Sequence, residues 1–185
     1  MSTSEIITLV VTSSVLSAIL TSLANFRIQN LNYKREYYKK IVERRLNAQE
    51  QIVNLSNELR IQVKSDDCQL CNRICATGEE HYQAFAISVA TSVDISFWLS
   101  EELSEILLDL NIFLLNEITL EITGADEDER NNSLMQLGIA NHEKIRDFRS
   151  KIERQLIKDF GDLANVNSFV KSKHKSEDKL YWLKK

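Results

Sequence analysis

Proline is absent from all 185 residues, and glycine occurs only at Gly78, Gly124, Gly138 and Gly161. Proline breaks a helix interior and glycine weakens it, so a chain this poor in both is free to form long helices. An all-β domain of this size would need many Gly and Pro turns, and these are missing. The expectation is an all-α fold. An apolar content of 43% supports one domain with a core and leaves little for a second.

One stretch does not read as part of that core. Glu5 and Arg27 bracket 21 uncharged residues, Ile6 to Phe26. As a helix these rise about 31 Å, which matches the hydrocarbon thickness of a bilayer. The predicted layout is residues 1–5 outside, a transmembrane helix over 6–26 and a cytoplasmic helical domain over 27–185. Two other readings compete. A secretory signal has a cleavage site available at Ser22-Leu23-Ala24 but lacks the basic start. A buried core helix is the second. The flanks set the orientation. Arg27, Lys34, Arg35, Lys39, Lys40, Arg44 and Arg45 follow the span, and only the α-amino group precedes it. The positive-inside rule then places the N-terminus outside and the body in the cytoplasm.

Eight residues of the span are Ser, Thr or Asn. At 100° per residue, Ser13, Ser14, Ser17, Ala18, Thr21, Ser22 and Asn25 share one half of the helix. Leu9, Leu16, Ile19, Leu20, Leu23 and Phe26 share the other. A lone helix would leave the hydroxyl-rich half in lipid at a cost. Packing on further copies through the ladders Ser13-Ser17-Thr21 and Ser14-Ala18-Ser22 relieves that cost, and so does lining a water-filled passage. Both need more than one copy of the helix, so the expected partners are the chain itself and membrane lipid. The plainer reading is an inert anchor whose hydroxyls bond their own backbone.

Past the span, Leu31, Tyr38, Ile41, Ala48, Ile52, Leu55 and Leu59 continue a helical stripe broken by Lys34 and Arg45. Tyr33, Tyr37 and Tyr38 stand beside Lys34, Arg35, Lys39 and Lys40. With Arg27 they form a basic and aromatic group suited to a membrane surface, in preference to RNA. Ser65-Asp66-Asp67 predicts a turn. A second helix then carries Cys71, Ile74, Cys75, Gly78, Tyr82, Phe85, Ala86, Val89 and Val93 on one face. A third, after a change of pattern at Asp94 to Ser100, aligns Leu103, Ile106, Leu107, Leu110, Leu114 and Ile118 and is expected to be the most buried. Gly124 to Asn132 predicts an acidic loop, and Ser133 caps a fourth helix through Leu134, Leu137, Asn141, Ile145, Phe148, Ile152 and Leu156, closed by Gly161. Phe169 and Leu180 to Leu183 suggest that the lysine-rich end docks.

No catalytic constellation stands out, and no cofactor is expected. Cys68, Cys71, Cys75 and His81 have the residue types of a zinc site. On one continuous helix, however, Cys68 and Cys75 lie about 10 Å apart along the axis, so the thiols read as core residues in preference to metal ligands or a redox pair. A HEPN ribonuclease site joins an Arg and a His four to six residues apart, a cation and a general base for phosphoryl chemistry. Seven residues separate Arg73 from His81, and eleven separate Arg130 from His142. Both pairs are degenerate, so an enzyme is not expected. A net charge of −4 gives no reason to expect direct nucleic-acid contact.

The N-terminal span, the exit Asn32-Tyr33-Lys34-Arg35-Glu36-Tyr37-Tyr38-Lys39-Lys40 and the degenerate Arg/His pairs on a small helical body resemble one known family. It is the membrane-anchored accessory proteins encoded beside the RNA-guided ribonuclease of type VI-B CRISPR systems. The layout is similar to other one-span anti-phage effectors as well. The resemblance implies a ring-shaped homo-oligomer of eight subunits in the bacterial inner membrane, functionally linked to that ribonuclease. It further implies a pore that permeabilises or depolarises the membrane. A membrane-tethered scaffold or adaptor, and a degenerate HEPN-like RNase, are the alternatives.

Overall fold

The computed structural model describes residues 3–64, 69–123 and 126–173, with side chains from Val15 onward except Glu127. The fold is all-α apart from one short hairpin. Helix α1 spans Thr3–Arg60. Strands β1 (Gln62–Lys64) and β2 (Leu70–Asn72) pair antiparallel, and α2 (Arg73–Ala76) follows. Next come α3 (Glu79–Asp94), a 3₁₀ turn (Ile95–Trp98), α4 (Glu101–Leu114), a π turn (Leu115–Thr119) and α5 (Leu120–Ile122). Helices α6 (Glu127–Ala140) and α7 (His142–Gly161) complete the series, and residues 166–173 are helical.

The chain divides into two compact units, Met1–Ile41 and Val42–Lys185. In the first, every side chain from Val15 to Lys40 is exposed, including Leu16, Ile19, Leu20, Leu23 and Phe26. Among the described residues no helix is long and apolar enough to cross a membrane. Only Val15 to Phe26 of the predicted span carry described side chains. Those twelve residues rise about 18 Å, short of the roughly 30 Å that a bilayer needs. Ile6 to Ser14, which hold five of the span's apolar residues, lie outside the described side chains.

The second unit is built around α4. Leu103, Leu107, Leu110 and Leu114 are fully buried, as the sequence stripe predicts. Helices α3 and α7 pack against it. Ile118 and Ile122 are buried too, although an unbroken helix would carry Ile122 about 100° off the stripe. The π turn inserts one extra residue and rotates Ile122 back onto the core. Beside it, the Leu114 carbonyl accepts the Tyr82 hydroxyl at 2.9 Å and the Thr119 hydroxyl at 3.1 Å. Burial pushes the Tyr82 phenol up to about 12.

Several predicted elements are corrected. The second helix does not begin before Cys71. Cys71 is in β2, and Gly78 with φ 100° separates α2 from α3. That backbone value strains any residue with a side chain. The hairpin escaped detection because each strand is three residues long, too short to give a periodic signal. Glu127 to Asn132 are helical rather than loop, because Asp126 and not Ser133 caps α6, accepting from the Glu129 amide at 2.9 Å. The fourth helix is two helices, parted at Asn141. Arg45 does not interrupt the α1 stripe at the surface. It is 5% exposed, over the Phe169 ring at 4.5 Å, and donates to the Asp162 and Leu163 carbonyls at 3.2 and 2.7 Å. Ser65-Asp66-Asp67, Cys68, Gly124, His174 and Leu180 to Leu183 lie outside the described residues.

Gly138 is where α6 closes on β2 and α2. A Cβ there would sit 2.5 Å from Cys75 Cβ and 2.6 Å from Cys71 Sγ. Gly161, by contrast, has nothing within 4 Å of its Cβ position. We expect Gly138→Ala to cost about 1–3 kcal/mol by overpacking. Gly161→Ala should leave the thermal midpoint nearly unchanged, and circular dichroism melting compares the two. Tyr82→Phe removes one donor to the Leu114 carbonyl and should cost about 1–2 kcal/mol in a denaturant titration.

Candidate functional site

The polar half predicted for the span forms a shallow open groove along α1, lined by Ser17, Ala18, Thr21, Ser22, Asn25 and Gln29, with Phe26 at its margin. The spacing of three and four residues stacks these short side chains over successive turns. Small side chains leave backbone close to the surface, so another helix can approach it. Sequence reasoning missed Gln29, which extends the groove one turn past the charge at Arg27. Continuing the periodicity beyond Asn25 would have found it. Ser13 and Ser14 lie outside the described side chains. The opposite face, Leu16, Ile19, Leu20 and Leu23, is apolar and more than half exposed. The helix therefore carries two faces of different chemistry.

Arg27, Tyr33, Lys34, Arg35, Tyr37, Tyr38, Lys39 and Lys40 are all exposed. The Tyr37 and Tyr38 rings lie 6.2 Å apart at 49°. Consecutive residues step by 100°, so this run places cations and rings on every side of the helix. A collar of that kind suits an interface between apolar and aqueous phases, where amphipathic rings and long basic side chains each reach their preferred medium.

The degenerate Arg/His candidates fall in two groups. Arg73 and His81 meet at one carboxylate. Arg73 forms an ion pair with Glu58, and His81 Nε2 lies 3.6 Å from the same oxygen, Glu58 Oε2. Glu58, which sequence reasoning did not single out, thus ties α2 to the end of α1. A phosphoryl site needs its cation open towards substrate, whereas here the guanidinium is engaged by protein. Arg130 pairs with Glu79 at 2.7 Å, and Asn131 accepts from the Glu79 amide at 3.0 Å, capping the start of α3. His142 opens α7 and stands 3.7 Å from Glu143. Arg130 lies near the start of α6 and His142 begins α7 beyond its far end; the helix from Arg130 to Ala140 alone spans about 15 Å along the axis, so the two form no common site.

Cys71 and Cys75 are buried free thiols that both face Gly138. The single-helix geometry expected of them does not hold, but their role as core residues does. Burial raises both thiols, Cys75 to about 12 with a further contribution from Cys71. Among the described residues no group of three His, Cys, Asp or Glu side chains could hold a metal ion.

No family model, curated protein or solved structure matches this chain.

The thiol chemistry is directly measurable. A folded-state value above the ordinary 9.0 for Cys75 means that the native state holds its proton more tightly. Its contribution to stability is complete below pH 9 and is lost as pH rises from there towards 12. An aromatic disulfide reagent at pH 8 should leave Cys71 and Cys75 unlabelled in the folded protein and label them in denaturant.

Proposed function

We propose that this chain is a self-associating membrane effector in which α1 is the working part. Residues 6–26 cross the bacterial inner membrane with the N-terminus outside and the Val42–Lys185 unit in the cytoplasm. Copies assemble into a ring, with Ser17, Ala18, Thr21, Ser22 and Asn25 lining a passage and Leu16, Ile19, Leu20 and Leu23 facing lipid. The proposed output is permeabilisation or depolarisation of the membrane in anti-phage defence, alongside an RNA-guided ribonuclease. The protein itself carries out no catalysis.

One observation carries this reading. A polar groove and an apolar face run along the same exposed helix, and the basic and aromatic collar follows directly after them. Hydroxyl and amide side chains on a lipid-facing surface are costly, and facing copies or water satisfies them. The 21 uncharged residues between Glu5 and Arg27 supply the length. The pairing of Arg73 with Glu58 favours a structural role for the HEPN-like residues.

The full chain reconstituted in lipid vesicles should release an entrapped dye. Ser17→Leu combined with Thr21→Leu should lower that release by about tenfold or more while membrane insertion is retained. A strictly monomeric mass in detergent refutes the reading. So does full activity when residues 6–26 are replaced by an unrelated anchor, a result that would favour the scaffold.

A further inference from the structure

Charge is segregated along this chain in a way that the net value of −4 conceals. No Lys or Arg occurs between Arg73 and Arg130, and that stretch carries thirteen Asp and Glu residues. Helix α7 carries six Lys and Arg against four Asp and Glu. Because α4 and α7 belong to the same unit, that unit carries an acidic strip on α4 and a local basic strip at Arg154 and Lys158 on α7.

The first surface is the outer side of α4 and α5. Leu108, Ile112, Leu115 and Leu120 are 46–61% exposed. The first three recur at helical spacing. The π turn that returns Ile122 to the core also brings Leu120 into line with them, so the exposed stripe is continuous. Exposed Glu105 and Asp109 border it, four residues apart. The second surface is the outer side of α7. Ile157, 73% exposed, sits between exposed Arg154 and Lys158, also four residues apart. Gly161 continues the same strip, with open space at its Cβ position and no positive φ to demand glycine.

We infer that the α4–α5 face of one copy docks on the outer α7 face of the next copy. The apolar stripe covers Ile157 and reaches the backbone at Gly161, while Glu105 and Asp109 meet Arg154 and Lys158. Matched i,i+4 charge pairs on two helices set both register and partner choice. The two faces differ, so each docking event leaves one of each kind free. A contact of that type propagates head to tail, closing into a ring or extending as a filament. The inference rests on the self-association in the reading above and supplies its contact between cytoplasmic units.

The test uses the full chain in detergent, with mass read by light scattering at low and high salt. Glu105→Arg with Asp109→Arg, and separately Arg154→Glu with Lys158→Glu, should each weaken assembly about a hundredfold or more. The protein bearing all four substitutions, and an equal mixture of the two variants, should both recover wild-type mass. High salt should dissociate the wild type. A wild-type oligomer whose mass neither variant changes overturns the docking and leaves self-association standing. A monomeric wild type overturns both. If a reversal unfolds the protein, Glu105→Gln with Asp109→Asn takes its place, and an unchanged mass there overturns the docking equally.

Discussion

The leucine stripe of α4 is the surface on which the Val42–Lys185 unit depends. Leu103, Leu107, Leu110 and Leu114 have no exposure beyond 1%, and α3 and α7 both pack against that helix. Burying a leucine side chain contributes about 1.5–3 kcal/mol, so four in line are a large share of a domain's net stability. The π turn is the device that extends the stripe. An α-helix drifts off a straight line, and one inserted residue resets the phase for Ile122. The Leu114 carbonyl at that turn is held by Tyr82 from α3 and by Thr119. Helix geometry, core packing and a buried hydrogen bond are thus linked at one place.

Polar side chains do the joining where the elements meet. Asn72 binds the Leu59 carbonyl at 2.7 Å and caps α2, which fixes the hairpin to the end of α1. Ser56 and Arg60 reach Glu153, and Arg45 reaches the carbonyls past the end of α7, so α1 and α7 run antiparallel through this unit. Asp159 accepts from Ser100 at 2.7 Å and Gln155 at 2.9 Å, which holds the start of α4 against α7. Apart from the Asn72 cap on α2 and the Gln155–Asp159 bond within α7, these contacts join residues distant in sequence. A buried polar group without a partner would cost the free energy that these contacts recover.

The same chemistry separates the two units. From Val42 onward, other elements of the chain bury a continuous apolar core that includes Ile52, Leu59, Leu103 and Ile152, and leave some apolar side chains such as Leu108 and Ile157 at the surface. From Val15 to Lys40 every side chain is exposed, apolar and hydroxylic alike. A stable surface of that composition calls for a medium or a partner suited to it. The proposed membrane ring supplies both, lipid for the leucine face and further copies for the groove.

The sequence by itself determined the helical class, the Leu103 to Ile118 stripe, the two faces of α1 and the closing position at Gly161. All of these follow from local periodicity and from the lack of proline, which depend on nothing beyond a few turns of chain. The tertiary structure alone decided the rest. It placed Cys71 in a strand, broke the second helix at Gly78, split the fourth at Asn141 and buried Arg45. It also brought Arg73 and His81 to Glu58 and kept Arg130 from His142. Each of these depends on contacts between residues distant in the chain, where packing at Gly138 and carbonyls past α7 outweigh local preference. The three and four residue spacing predicted the candidate groove, and Gln29 completed it by the same rule. The opposed charge faces emerged only once α4 and α7 were placed in one body.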